Sequence, residues 1–195
     1  MEPSRYPLKF IQAGIDQLEN YLLSDLIYWP VGVTAASGQP AYPSLTLGTL
    51  LLFIQQAEGL AVSPQQRTEL SKLKSELDAI RTHWQAHWGR KAASEFRARI
   101  KLWRDFLEEY RRDPEGNYDR YGYEVTRRVM LHWLKQAAAN LPSSETHMLD
   151  SLDRLLQAMI TGSEFIWDET LKPVFPKGTY WYLYGRLPKE RGDNP

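Results

Sequence analysis

The chain has 195 residues, no cysteine, and 24 basic and 24 acidic side chains that give a formal net charge of zero. The length suits one domain with a sizeable core, and the balanced charge excludes a global field toward nucleic acid or an anionic membrane. The lack of cysteine excludes disulfides, thiolate catalysis, zinc–thiolate sites and iron–sulfur clusters, and it fits a cytoplasmic protein. We expect no secretory signal and no membrane span, because the most apolar window, 45–62, becomes polar after about ten residues.

Two helices and a long loop are predicted in the first third of the chain. Apolar residues at three- and four-residue steps predict a first helix from Leu8 to about residue 27. Proline and glycine residues in 28–44 then predict a surface loop. Ser44 stands where it can cap a second helix over about 45–58, which would stop at Gly59. Because this helix is apolar nearly all round, we expect it to lie at the centre.

The strongest local signal is the run Ser-Pro-Gln-Gln at 63–66, which has the pattern of a capping box with proline at the first helical position. An apolar stripe with 3.6-residue spacing continues from there to Tyr110 and passes across Gly89. We therefore predict one long central helix over 64–112, with a break near Gly89 as the alternative. A continuous helix should accept alanine at Gly89, provided that no close neighbour needs the space left by the missing side chain. It would be about 70 Å long, so its end would project or pair with a second copy.

The last third of the chain is predicted to add shorter helices and an aromatic arm. Helices are expected over 119–140, from a cap at Ser143 to Gly162, and over 163–171. The segment 178–185, GTYWYLYG, has strand propensity, and residues 31–34 are the one short extended partner in view. This C-terminal arm either closes one end of the bundle or forms an interface. The predicted fold is all-α: a single-domain bundle of five to six helices over residues 1–187, with a flexible polar tail over 188–195.

Histidines offer the sharpest candidate chemistry. His83 and His87 lie four residues apart, so both imidazoles project from one helix face and could share a metal ion. A third ligand would come from His132 or His147 across a predicted helical hairpin. However, the zincin pattern is absent, and so is any Glu-x-x-His pair of a di-iron bundle. We favour histidines at the edge of a packing seam over a metal site, and we expect no cofactor.

A basic stripe is the second candidate, because five cations share one face of the predicted long helix: Arg90, Arg97, Lys101, Arg104 and Arg111. Such a stripe can follow the phosphates of a nucleic acid. However, Glu108 lies within the stripe, and oppositely charged neighbours of this kind are usual on a solvated helix face. Nucleic-acid binding therefore ranks below protein contact.

Sequence motifs neither indicate nor exclude an enzyme, since no nucleophile elbow, phosphate loop or dinucleotide glycine pattern occurs. We predict a cytoplasmic protein that acts through protein–protein contact, as a homodimer or with another protein. A metal-dependent helical-bundle enzyme and a nucleic-acid-binding protein are the alternatives. The candidate interaction patch combines residues of the long helix and of the C-terminal arm: Trp84, Trp88, Arg97, Lys101, Arg104, Tyr180, Trp181 and Tyr182.

Overall fold

A computed structural model describes residues 5–61 and 63–190, and within them the chain forms seven α-helices and a two-stranded antiparallel sheet. The helices are α1 (Arg5–Leu23), α2 (Leu47–Leu60), α3 (Pro64–His83), α4 (Gln85–Arg112), α5 (Pro114–Asn117), α6 (Tyr121–Ala137) and α7 (Ser143–Met159). The strands are β1 (Thr161–Phe165) and β2 (Tyr184–Arg186). The prediction of an all-α bundle is confirmed. Over these same residues, no helix combines the length and the apolar character that a bilayer span requires.

One hydrophobic core connects the elements, from Leu8 in α1 to Leu187 after β2. As expected for a helix without a polar face, α2 is central and packs on α1, α3, α4, α6 and a 3-10 segment, Glu169–Val174. The most extensive contact joins α4 and α6. These two helices are antiparallel, because Gly89 lies against Ala139 whereas Trp103 lies against Tyr121.

The first helix ends at Leu23, earlier than the apolar pattern predicts. Leu26, the last residue of that pattern, is 56% exposed. The chain is held just beyond α1 by Lys91 of α4, whose Nζ donates to the carbonyls of Ser24 at 2.6 Å and Leu26 at 2.8 Å. A partner 67 residues away thus fixes the helix end, which the pattern inside α1 does not reveal.

The cap of α2 is Thr46 rather than the predicted Ser44, and the helix includes Gly59 instead of stopping there. The Thr46 hydroxyl accepts from the Thr49 N–H at 3.0 Å, while the Thr49 hydroxyl accepts from the Thr46 N–H at 2.8 Å. This reciprocal box uses threonine in the place where glutamate or glutamine usually stands.

The capping box of α3 is confirmed: the Ser63 hydroxyl accepts from the Gln66 N–H at 3.2 Å, and Gln66 Oε1 accepts from the Ser63 N–H at 3.1 Å. The predicted cap of α7 is wrong by one position. Ser143 is the first helical residue, the cap position is Pro142, and α7 ends at Met159. Proline there supplies no side-chain hydrogen bond to the first turn of the helix.

The predicted long helix over 64–112 is two helices that divide at Trp84. Trp84 has φ −104° and ψ 29°, outside the α-helical region. Apolar spacing is similar on both sides of this residue, so periodicity alone does not reveal the division. Gly89 lies inside α4, as predicted, but the condition for accepting alanine, free space beside the residue, is not met. A Cβ built there would lie 2.8 Å from the Cβ of Ala139.

The segment after α7 forms a sheet and a 3-10 turn in place of the predicted helix over 163–171. Strand β1 pairs with β2 so that Thr161 lies opposite Arg186 and Phe165 opposite Tyr184. At Gly185, φ is 133° and a Cβ would lie 2.8 Å from the Thr161 carbonyl oxygen, so glycine permits the close approach of the strands.

The predicted pairing of the C-terminal arm with residues 31–34 does not occur, since those residues form no strand. The predicted tail over 188–195 begins with contacts: the Tyr110 hydroxyl donates to the Pro188 carbonyl at 2.9 Å, and Lys189 pairs with Glu115 at 3.0 Å. Residues 191–195 of that tail lie outside the described residues.

Candidate functional site

Glu95, near the middle of α4, is the most deeply buried charged residue of the described chain, at 1% exposure. Its carboxylate accepts from the backbone N–H of Gly48, at 3.1 Å to each oxygen. Arg99 donates its Nε to Glu95 Oε1 at 2.5 Å and its Nη2 to the Thr46 hydroxyl at 2.9 Å. Gly48 and Thr46 both stand at the N-terminus of α2, where free N–H groups and the helix dipole favour negative charge. Glu95 is therefore a cap for α2 that another helix supplies.

Gly48 permits this approach of the carboxylate. A Cβ built on it would lie 2.6 Å from Glu95 Oε1 and 3.0 Å from the Cβ of Met130. Tyr21 of α1 lies near the same carboxylate. Burial raises the pKa of its phenol most, and the negative charge of Glu95 raises it further. The protonated hydroxyl donates to the Ile27 carbonyl at 3.1 Å. Three helices thus meet around one carboxylate.

A second buried carboxylate, Glu124 of α6, lies between Arg120, which directly precedes that helix, and Arg127, which belongs to it. Arg120 donates its Nη2 to Glu124 at 3.0 Å, and Arg127 pairs with Glu124 from the other side. Burial lowers the pKa of Arg127, and the charges of Arg99 and Arg120 lower it further against the raising effect of nearby tyrosines. Because Arg99 acts on Arg127, the two carboxylate clusters are neighbours at the contact of α4 and α6.

An exposed aromatic surface adjoins these clusters. Tyr123 lies one turn before Arg127 on α6. Ionisation of Tyr28 or of Tyr123 would raise the pKa of Arg127, so both phenols lie near this guanidinium. They are 51% and 74% exposed. Leu102, 41% exposed, lies on α4 one turn after Arg99. We name Tyr28, Leu102, Tyr123 and Arg127 the tyrosine face. Large exposed apolar groups beside arginine are characteristic of contact surfaces.

Arg128 fixes the C-terminal arm against α6 and α7. Its guanidinium makes two bonds of 2.6 Å to the carboxylate of Asp153 and lies 4.4 Å from the ring centroid of Tyr182. Burial lowers the pKa of Arg128, but the bond to Asp153 and the nearby acidic groups raise it more, so the net direction is upward. The Tyr121 hydroxyl donates to the Tyr182 carbonyl at 2.6 Å.

The part of the predicted interaction patch that lies in the C-terminal arm is largely buried. Tyr180 and Tyr182 belong to the core, and Trp181 is half-buried. The expected strand alternation is interrupted because Trp181–Leu183 forms a 3-10 turn. This burial favours the interpretation in which the arm closes the bundle.

The tryptophans of the predicted patch also pack inward. Trp88 is buried in the core, and Trp84 is half-buried against it. The Trp84 ring stands edge-on to His83 and His87, with centroid distances of 4.9 and 5.3 Å. His83 is exposed and His87 is half-buried. The arrangement agrees with the predicted packing seam with histidines at its edge.

The predicted histidine site is not formed: within residues 5–61 and 63–190, no three His, Cys, Asp or Glu side chains are grouped closely enough to hold a metal ion. His132 contacts the Gln136 amide at 3.1 Å, and its pKa is lowered by burial and by the charges of Arg128 and Lys135. His147 is exposed on α7. The metal-dependent alternative therefore gains no support from these positions.

The basic stripe is exposed, but neighbouring carboxylates neutralise part of it. Arg97 pairs with Glu145 of α7 at 2.7 Å, and Arg104 pairs with Asp105 at 2.9 Å. Lys101 is exposed between them. These pairs reduce the positive field that phosphates require and agree with a solvated helix face.

Sequence reasoning did not select the buried charges of α4, which are Lys91, Glu95 and Arg99. A signal for them exists: they occur at four-residue steps, and each directly precedes a member of the apolar stripe, Ala92, Phe96 and Ile100. A charged row beside the stripe lies partly on the buried side of the helix. The two buried carboxylates of this region are paired with arginines three or four residues away in the chain. The contacts between helices come from the bonds of Glu95 to Gly48 and of Arg99 to Thr46.

Comparison with known proteins identified no relative: no family model matches the chain, and neither a curated protein nor a solved structure matches it. Function is therefore inferred from the contacts, burial and charges of the described residues.

Proposed function

We propose that this is a helical interaction protein that acts through protein–protein contact and forms a homodimer through the tyrosine face. The observation that carries the proposal is the exposure of Tyr28 and Tyr123 beside Arg127. Tyrosine and arginine are enriched among residues that dominate binding energy, and a tyrosine ring loses little conformational entropy when it is fixed.

Charge at the tyrosine face suits contact between two identical surfaces. In a two-fold dimer the same patch of each copy meets, so an unpaired arginine near its centre would repel its own copy. Arg127 is paired with Glu124. Tyr28 and Tyr123 add exposed aromatic surface near this pair, and Leu102 adds exposed aliphatic surface on α4. Two copies can therefore meet without like-charge repulsion from these residues.

The contacts that hold the residues of the tyrosine face in place support the same proposal. Arg127 is held by the buried carboxylate of Glu124, and Tyr123 lies one turn earlier on the same helix. Arg120 links Glu124 to α4, since it donates hydrogen bonds to Glu109 of α4 at 2.8 Å and to Glu124 at 3.0 Å. A surface that is already ordered loses less entropy on association.

The test is the molar mass in solution, measured by size-exclusion chromatography with light scattering at protein concentrations up to about 100 μM. We expect twice the 22.7 kDa of one chain. Tyr123→Arg should reduce the mass to that of one chain, because it places an unpaired cation in the contact. The matched control is Met148→Ser, which alters an exposed apolar residue of α7 and should leave the dimer intact.

Two outcomes of this experiment contradict the proposal. One is a single-chain mass for the parent protein over the whole concentration range. The other is a dimer that persists in Tyr123→Arg and in Tyr28→Ala alike.

We also propose a cytoplasmic location, supported by the absence of cysteine from the sequence. Fractionation of the cells that produce the protein tests it. Recovery mainly in a secreted or membrane fraction would contradict it.

A further inference from the structure

A cleft of about 660 Å³ opens between α1, the following loop and α3. Its volume is within the range of about 300–1,000 Å³ that is usual for ligand sites. Apolar side chains form much of its lining: Leu8, Ala13, Val33 and Ala36. The cleft shares no residue with the tyrosine face.

A row of polar side chains runs along the cleft on α1. Arg5, Lys9, Gln12 and Asp16 line it and are separated by four, three and four residues, which places them on one face of the helix. Two cations stand at one end of this row and a carboxylate at the other, and a second carboxylate, Glu69, lines the α3 side of the cleft. Eleven residues at 1.5 Å each separate Arg5 from Asp16, or about 16 Å along the axis. The cleft is therefore long and carries opposite charges at its two ends.

The wall opposite α1 is fixed in place by contacts with the helix. Lys9 Nζ donates to the Thr34 carbonyl at 3.1 Å. The Tyr42 hydroxyl donates to the Tyr6 carbonyl at 3.2 Å, and the two rings stack with centroids 4.6 Å apart. Partial burial raises the pKa of both phenols. An apolar or aromatic group can pack on this stacked pair.

We propose that the cleft binds an extended peptide of about five residues, a length set by roughly 16 Å of cleft at about 3.3 Å per residue. The peptide carries an acidic group near Arg5 and Lys9, a basic group near Asp16, and an apolar centre that packs on Tyr6 and Tyr42. Loop residues 31–35 lie outside any helix or strand. Their backbone groups can pair with an added extended segment.

The direct test is fluorescence anisotropy with three labelled pentapeptides blocked at both termini. The first has lysine and glutamate at its two ends and leucine, phenylalanine and leucine between them; the others have two lysines or two glutamates at the ends. We expect the first to bind about fivefold more tightly than either of the others, because only it complements both ends of the cleft. Equal affinities for the three peptides, or no binding of the first, would overturn the proposal.

Two variants identify the site. Asp16→Lys should weaken binding of the first peptide about tenfold, since an attraction becomes a repulsion, and should strengthen binding of the peptide with two glutamates. The matched control is Glu19→Lys, which makes the same charge change at an exposed position of α1 outside the cleft lining and should leave the affinities unchanged. Equal effects of the two substitutions would show that binding follows overall charge, and this would overturn the assignment.

The aromatic contact and the class of ligand have their own controls. Tyr42→Ala should weaken binding, whereas Tyr42→Phe should preserve it. Binding of decanoate in the absence of any peptide binding would replace the peptide with a small amphipathic anion and overturn the proposal. The variant Tyr123→Arg should bind the first peptide as the parent does, so failure of the dimer and failure of the cleft are separable.

Discussion

Two rows of charged side chains on α4 look alike in sequence and differ in environment. The inner row is Lys91, Glu95 and Arg99, which lie buried; the outer row is Arg97, Lys101 and Arg104, which contact solvent. Members of the inner row bond to groups from other elements, such as the N–H of Gly48, which is 47 residues from Glu95. The charges by themselves do not distinguish the rows; the difference is that each inner charge directly precedes a residue of the apolar stripe, whereas each outer charge directly follows one.

The two rows should differ in how much their charges contribute to the free energy of unfolding. Breaking a buried pair leaves one charge without compensation and typically costs about 3–5 kcal/mol, whereas an exposed pair contributes about 0–1 kcal/mol. The inner row would then determine stability, while the outer row would mainly affect solubility and its dependence on salt.

The largest effect is expected for Glu95→Ala. It removes the acceptor of Arg99 and of the Gly48 N–H, so the free energy of unfolding should fall by about 3–5 kcal/mol in urea titrations. The control Glu108→Ala removes an exposed carboxylate of the same helix and should cost under about 1 kcal/mol. Similar losses for the two variants would abolish the distinction between the rows.

A smaller loss, about 1–3 kcal/mol, is expected for Gly48→Ala. The new Cβ would lie 2.6 Å from Glu95 Oε1 and force the carboxylate away from α2. Gly122→Ala is the matched control, because it lies in α6 with no atom within 4 Å of a new Cβ; it should gain up to about 1 kcal/mol. Tolerance of alanine at Gly48 would show that the close approach contributes little.

In the outer row, Arg97→Ala should lower the free energy of unfolding by less than about 1 kcal/mol, because the Arg97 side chain is exposed and solvent screens its pair with the half-buried Glu145. The difference from the parent protein should shrink in about 1 M salt, where the Debye length is about 3 Å. A loss that salt leaves unchanged would place Arg97 with the inner row.

Substitution of His132 should change the stability by a smaller amount, and this change should depend on pH. Its pKa is lowered from 6.5 in the folded protein by burial and by the charges of Arg128 and Lys135. Below pH 6.5 the unfolded chain binds the proton more readily, so this residue reduces stability as the pH falls. His132→Gln should therefore lose less stability than the parent between pH 7.5 and 5.5 in urea titrations. An identical pH dependence in the two proteins would contradict the lowered pKa.

Local signals in the sequence predicted the elements whose causes are local. The capping box at Ser63, the central apolar α2 and the seam at Trp84 and Trp88 belong to this group. Periodicity failed at the division of 64–112, because the apolar spacing continues through Trp84. The predicted helix over 163–171 was also wrong, because Thr161–Phe165 pairs with Tyr184–Arg186 and Glu169–Val174 forms a 3-10 segment.

The candidate sites were less predictable than the fold. Tyr28 and Tyr123 are 95 positions apart in the chain, and only the fold brings both to Arg127. The cleft likewise needs the loop to return to α1 through the bond from Lys9 to Thr34. A periodic pattern within one segment carries no information about the distant segment with which it pairs.

The most direct test of the inner row is the set Glu95→Met, Arg99→Met and the double substitution, compared by urea unfolding. Each single substitution strands a buried charge, and the double substitution strands neither, so we expect the double variant to be more stable than either single variant. The pair of Arg97 and Glu145, which is more exposed to solvent than the inner pair, should give losses that nearly add when it is substituted in the same way. A double variant at Glu95 and Arg99 whose loss equals the sum of the single losses would contradict the dependence of these two charges on each other.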